Sequence, residues 1–275
     1  MNRSNFKLDF WSNKGRHGVS NVISTIILTG ILFTILVVAM FVATNILNAQ
    51  LVSTEFSQAQ SNMQLLDSTI QDVSLRPGAG GYVQFNERQG GIGLNTTTDS
   101  FSIQVQNEAP VTFSNLLEFV YSGGTQASAP VDPSTGYTAL QGTSGPQVGL
   151  TEGLGWLRLA QDDGAKIKLD YNRVRIASTG LIDNQGTNLV QVTFIHLIKG
   201  DIQASSGTVS VTVQNIKTLP TTWTVNSPTA TITVTQTVGS QQNTETWPPA
   251  DWTPPQGTTK TVVVFSEIQV EVSIR

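Results

Sequence analysis

Few side chains in this sequence could perform acid–base or metal chemistry. The chain holds two histidines and no cysteine, which excludes disulfides, zinc-thiolate sites and cysteine nucleophiles. His196 lies in the alternating segment LVQVTFIHLI, on the face that Val190, Val192 and Phe194 share. We predict that this histidine is packed and hydrogen-bonded. No phosphate-cradling loop, G-x-S-x-G turn or His-x-x-x-His pair occurs, so we expect no catalytic residue, metal ligand or cofactor.

Two short polar motifs need separate interpretations. Asp162-Asp163-Gly164 predicts a hairpin turn. A calcium-binding loop is not predicted there, because it needs more oxygen ligands at regular spacing. Asn95-Thr96-Thr97 is a sequon, so Asn95 is a candidate N-glycosylation site in a predicted turn.

The composition argues against a nucleic-acid-binding protein. Charged residues make up 12% of the chain and the formal net charge is −4, with no basic stripe to meet phosphates. Thr, Ser, Gln, Asn and Gly replace the missing charges, which is typical of β-strands with uncharged surfaces.

The elements of the chain are organised around one apolar run, Val19–Ala49. It contains no charged residue, and the nearest charges are Arg16 before it and Glu55 after it. Its core, residues 22–43, is long enough to cross a hydrocarbon layer of roughly 30 Å as an α-helix. Basic residues beside a first membrane segment stay in the cytoplasm, so we expect the Glu55 side to face outward.

The junction before this run resembles the class III (prepilin-type) signal peptide of archaeal type IV pilins. The matching residues are Arg16-His17-Gly18-Val19-Ser20-Asn21-Val22-Ile23. His17 stands where the family usually has Lys or Arg, and Asn21 stands where Pro is frequent. The resemblance implies that a prepilin peptidase cuts between Gly18 and Val19, which would leave the apolar helix on the mature protein.

The resemblance also implies three segments and a set of partners. Residues 1–18 would be the leader, 19–76 a long helix and 77–275 an extracellular domain. The precursor would lie in the cytoplasmic membrane, and mature copies would then polymerise through their apolar helices. The residues that we assign to this assembly helix are Val22, Ile23, Ile27, Gly30 and Ile35.

The helix is predicted to continue beyond the apolar run to the stop signal Pro77-Gly78. Apolar residues between these points follow heptad spacing. This seam packs either against the chain's own β domain or against helices of other copies. It consists of Val52, Phe56, Ala59, Met63, Leu66, Ile70 and Val73.

Beyond Gly78 the hydrophobic period changes to two. Many short segments rich in Val, Ile and Thr predict an antiparallel β-sandwich, and hence an α+β chain. Residues 122–155 form a long polar loop that is either functional or contains an extra hairpin. In the Trp-Pro-rich segment, Trp247 and Trp252 either cover the edge of the sandwich or provide a surface contact.

Together these features predict a structural protein and not an enzyme. The favoured function is the subunit of an archaeal type IV pilus-like filament. The alternatives are a membrane-tethered extracellular β domain for surface binding or adhesion, and a minor pseudopilin of a secretion or uptake machine.

Overall fold

The computed structural model describes residues 17–124, 127–148, 153–203 and 207–275. One helix, α1 (His17–Ser74), precedes a series of β-strands. The chain divides into two compact units, one ending at Gln50 and one spanning Leu51–Arg275. The predicted α+β class, a long N-terminal helix followed by a sandwich-like β region, is confirmed.

The second unit, which we call the β unit, contains the last part of α1 and three sheets. The strands are β1 (Gly80–Glu87), β2 (Gly91–Thr96), β3 (Ser100–Val105), β4 (Val111–Ser114), β5 (Leu117–Ser122), β6 (Tyr137–Gln141), β7 (Gln147–Val148), β8 (Trp156–Asp162), β9 (Gly164–Asp170), β10 (Val174–Leu181), β11 (Thr187–Ile202), β12 (Gly207–Val225), β13 (Ile232–Val238), β14 (Gln241–Trp247) and β15 (Lys260–Ile274).

The three sheets have the strand orders β1-β12-β15-β11-β10-β7 (the first sheet), β14-β13-β3-β4 (the second) and β2-β5-β9-β8-β6 (the third). The second and third sheets are antiparallel, as predicted. The first sheet is mixed, which corrects the prediction of purely antiparallel pairing. β11 runs parallel to β15, starting from the pair Thr187 and Lys260. After β12 the chain leaves the first sheet for β13 and β14. It then re-enters at the end where β11 began, so the two strands share a direction.

The first sheet buries opposite faces along its length. On β15, Val263 and Phe265 belong to one apolar cluster, whereas Ile268, Val270 and Val272 belong to another. Odd and even positions of a strand point to opposite faces. The second sheet therefore covers one face at one end, and α1 with the third sheet covers the other face further along.

Two local predictions can be compared with the strands. The hairpin turn at Asp163 is present, since Asp162 pairs with Gly164. The long polar segment contains β6, which pairs with β8 at the edge of the third sheet. The same segment contains the short strand β7, which pairs with β10 at the edge of the first sheet. The described part of the segment therefore adds one edge strand to each of two sheets and forms no hairpin of its own.

The end of α1 is held by a buried asparagine. Asn215 is fully buried, and its side-chain amide donates to the carbonyl groups of Val73 and Ser74 at 3.4 and 3.2 Å. The last carbonyls of a helix lack partners within the helix. Asn215 provides a hydrogen-bond donor for two of these carbonyls at the point where α1 meets β12. Pro77 follows in the turn to β1.

Candidate functional site

The first half of α1 offers an uninterrupted apolar surface. Every side chain that the structure describes from Val22 to Gln50 is exposed, and no charged residue occurs between Val22 and Thr54. By length and composition this helix could cross a membrane. An exposed apolar surface of this size needs a covering of lipid or protein, because leaving it in water is unfavourable.

Three threonine hydroxyls in this half donate to carbonyl groups of the helix itself. Thr29 donates to the carbonyl of Thr25 at 2.8 Å, and Thr34 donates to that of Gly30 at 2.9 Å. Thr44 makes the same bond to Met40 at 2.8 Å. Because the helix satisfies these polar groups internally, its surface suits an apolar environment.

The residues assigned to assembly all lie on this surface. Val22, Ile23, Ile27 and Ile35 are between 52% and 60% exposed. At Gly30 a Cβ would meet no heavy atom within 4 Å, and α1 continues through this glycine without a break. Gly30 therefore leaves the backbone open to close approach by another helix.

The predicted processing site is only partly within the described residues. Arg16 and the rest of the leader before it lie outside them. The backbone of Gly18 and Val19 belongs to the first turn of α1.

The second half of α1 has the opposite environment. The seven seam residues belong to one apolar cluster formed with strands of the first and third sheets. Met63, Leu66 and Ile70 are fully buried, whereas Leu65, the neighbour of Leu66, is 55% exposed. The seam packs against the chain's own β-strands, so its side chains leave no surface for a helix of another copy.

A carboxylate near the start of the seam joins α1 to the β1–β2 turn. Glu55 accepts hydrogen bonds from the backbone N–H groups of Arg88, Gln89 and Gly90 at 3.0 to 3.2 Å. The hydroxyl of Tyr121 donates to the same carboxylate at 3.1 Å. Burial raises the pKa of Glu55, but the N–H groups and the hydroxyl outweigh it, so the pKa lies below its usual value.

A second carboxylate lies inside the seam. Asp67 is fully buried and accepts hydrogen bonds from the Tyr171 hydroxyl at 2.6 Å and from the Gln71 amide at 2.8 Å. Burial raises its pKa, and the two hydrogen bonds and the charge of Arg173 offset this in part. The contact requires Gly155, because a Cβ there would overlap with an oxygen of Asp67.

Charged groups connect this part of the seam to the rest of the β unit. Arg158 bridges the carboxylates of Glu118 and Asp170 and stacks 3.9 Å over the ring of Trp156. The guanidinium of the fully buried Arg173 donates to Asp170 at 2.7 Å. These residues lie on β5, β8, β9 and the β9–β10 connection. The desolvation of buried charges offsets much of their attraction, so such a network is weak evidence of added stability.

The remaining candidate residues have ordinary structural surroundings. His196 Nδ1 lies 2.7 Å from Glu267 Oε1, and its ring packs beside Phe113 and Phe194. This is the packed, hydrogen-bonded histidine that the sequence predicts. Asn95 is exposed and lies on β2, which corrects its placement in a turn.

The tryptophans cover the second apolar cluster. Trp247 is 5% exposed, and its ring centroid lies 4.9 Å from that of the half-buried Trp252. Trp247 is thus enclosed, which favours the edge-covering interpretation over a surface contact. Among the described residues, no group of three or more His, Asp or Glu side chains could hold a metal ion.

Comparison with known proteins adds no assignment. No family model, curated protein or solved structure matches this chain.

Sequence reasoning missed the two carboxylates of the seam. The sequence shows Glu55 only as the first charge after the apolar run, and its partners lie 33 to 66 positions away. Asp67 is a charged residue beside a heptad position, which is a weak signal for burial. Its partner Tyr171 lies 104 residues further on, so no local pattern reveals the pair.

The burial of the seam leads to a prediction for two neighbouring leucines, one buried and one exposed. Leu66→Ala should lower the free energy of unfolding of the β unit by about 2–5 kcal/mol, because it opens a cavity in the core. Leu65→Ala, at the exposed neighbouring position, should change it by less than about 0.5 kcal/mol. Thermal and denaturant unfolding of the full-length protein in detergent would measure both; equal effects would contradict the described packing.

The Glu55 contact predicts a pH dependence with a defined sign. The pKa of Glu55 is lower in the folded protein than in the unfolded chain, where it is about 4.5. The contribution of Glu55 to the free energy of unfolding is therefore fully present above about pH 4.5 and is lost as the pH falls through the folded pKa. Glu55→Gln should therefore be less stable than wild type near neutral pH, and the difference should shrink below about pH 4.5. Glu108→Gln, the same charge change in an exposed turn, is the control. A gap between Glu55→Gln and wild type that stays constant with pH would contradict the contact.

Proposed function

We propose that this chain is the structural subunit of a surface filament of the archaeal type IV pilus type. The precursor enters the cytoplasmic membrane with its N-terminus inside. It is cleaved before Val19, and it assembles through residues 22–50. The observation that carries this proposal is the division of one continuous helix into an exposed, charge-free half and a half that is buried in its own β unit.

The membrane stage follows from charge. Arg3, Lys7, Lys14 and Arg16 precede the apolar run, and such residues stay on the cytoplasmic side. The β unit then lies outside, where a cysteine-free fold depends on no redox condition. The small residue Gly18 stands before the run, where a prepilin-type cut keeps the helix on the mature protein.

The filament stage is supported by the distribution of small residues. Gly30 and Thr34 form one pair four residues apart, and Ala39 and Ala43 form a second. At 100° per residue the two pairs lie on roughly opposite sides of the helix. Small residues let helices approach closely. A growing filament needs two different contact surfaces on each copy, whereas a closed dimer needs one.

The first test concerns processing. Mass spectrometry of the protein recovered from cell surfaces should find Val19 at the mature N-terminus. Gly18→Leu should leave the uncleaved precursor in the membrane, because a bulky residue replaces the small one at the cut. An intact Met1 in wild type, or a cut after residue 43, would contradict the proposal.

The second test distinguishes a filament from a tethered monomer. Ile35→Asp places a carboxylate within the apolar surface, where insertion into a bilayer costs roughly 2.5–3.5 kcal/mol. The long apolar run should still insert. In a filament core every copy would bury this unpaired charge, so filaments should disappear while membrane-bound subunit persists.

Electron microscopy and membrane fractionation measure the two outcomes of this second test. Ser61→Asp adds the same charge at an exposed position of the second half of α1 and should leave filaments intact. Cells that display the protein without any filament, or an Ile35→Asp variant that assembles normally, would favour the tethered surface-binding domain.

A further inference from the structure

The second sheet has an unusual outward face. On its central strand β13, Ile232 and Val234 are fully buried in the second apolar cluster. The alternate residues Thr233, Thr235 and Thr237 therefore point away from that cluster. They form a row of three threonines along one strand.

The neighbouring strands continue this pattern. One line across β14, β13, β3 and β4 consists of the paired residues Thr244, Thr235, Ser102 and Thr112. The lines on either side of it also consist only of threonine, serine and glutamine. We call the outward residues of these four strands the hydroxyl face. Thr235 and Thr244 already share a hydrogen bond across strands at 3.3 Å.

The hydroxyl face carries no charge. Sheet faces that remain in water usually carry charged residues, which prevent association. The outward face of the first sheet follows that rule, since Glu271 lies there on β15. The whole chain has a net charge of −4, so two copies repel each other overall. A charge-free face escapes this repulsion, and its hydroxyl and amide groups both donate and accept hydrogen bonds.

The size of the face limits the strength of such a contact. Four strands about 4.8 Å apart, with three outward positions about 6.7 Å apart, cover roughly 400 Å². Two such faces would bury about 800 Å² in total, whereas stable complexes bury about 1,200 Å² or more. A single pair of faces should therefore dissociate readily. Repeated copies on two opposing surfaces would hold together through many weak contacts.

We propose that the hydroxyl face is a weak self-contact surface, on which the identical face of a second copy packs. The contact takes effect only where many copies are displayed together. Display on a membrane is sufficient for it, and it does not depend on filament formation. If the proposed function holds, the same contact joins neighbouring filaments side by side.

Vesicles test this proposal with the full-length chain. The protein is inserted at high density through its own helix into neutral phosphatidylcholine vesicles, and vesicle clustering is followed by light scattering. Wild-type vesicles should cluster, and Thr235→Lys should slow clustering by about tenfold or more, because identical lysines then face each other. Raising the salt concentration should restore part of the clustering of Thr235→Lys.

A matched control places the same charge elsewhere. Thr212 is exposed on β12, on the outward face of the first sheet, and Thr212→Lys should cluster like wild type. If Thr235→Lys does not fold, Thr244→Lys on the exposed edge strand β14 serves the same purpose. Circular dichroism checks the fold of each variant.

The outcomes separate the possible occupants of the face. Equal clustering of wild type and Thr235→Lys, or no clustering of wild type, would overturn the proposal. Retention on an insoluble neutral polysaccharide without clustering would also overturn it and would assign the face to carbohydrate. Filaments are scored separately by electron microscopy, so a failure of the filament proposal is distinguishable from a failure of this one.

Discussion

A single helix carries two surfaces that require different surroundings, and the rest of the structure depends on this constraint. From Val22 to Gln50 the helix exposes only uncharged, mostly apolar side chains, and its threonines satisfy their hydroxyls internally. From Val52 onward the same helix buries a heptad seam against β-strands. Water is a poor solvent for the first surface, and the second already has its partner within the chain. Lipid and other copies of the helix are the coverings that suit the first half.

The second half is held by packing and by polar contacts of different kinds. Met63, Leu66 and Ile70 supply buried apolar area, whereas Glu55 binds a row of backbone N–H groups at the start of the seam. Asp67 adds a buried carboxylate that accepts hydrogen bonds from a tyrosine and a glutamine. Such a group adds little stability, yet it is tolerated only where its donors are in place, so it favours one arrangement of helix and strands.

The sequence predicted the parts whose signals are local. Heptad spacing predicted the seam residues, which the structure buries. The alternation of apolar and polar residues from Ile268 to Ile274 indicated a strand with one apolar face. The parallel pairing of β11 with β15, the buried Arg173 and the Asp67–Tyr171 contact depend on residues far apart in the chain. Periodicity carries no information about which distant strand is the neighbour, so these features required the structure. A membrane and a filament core both require the apolar surface that the first half of α1 presents.

Single-cysteine cross-linking measures the division of the helix most directly, because the native chain contains no cysteine. Ala39→Cys lies in the exposed half, and Ala59→Cys replaces a seam residue that is 3% exposed. In intact cells, oxidation followed by non-reducing electrophoresis should convert Ala39→Cys into disulfide-linked dimers and leave Ala59→Cys monomeric. Dimers from Ala59→Cys, or monomers from both, would contradict the assignment of the first half to other copies and of the second half to the chain's own strands.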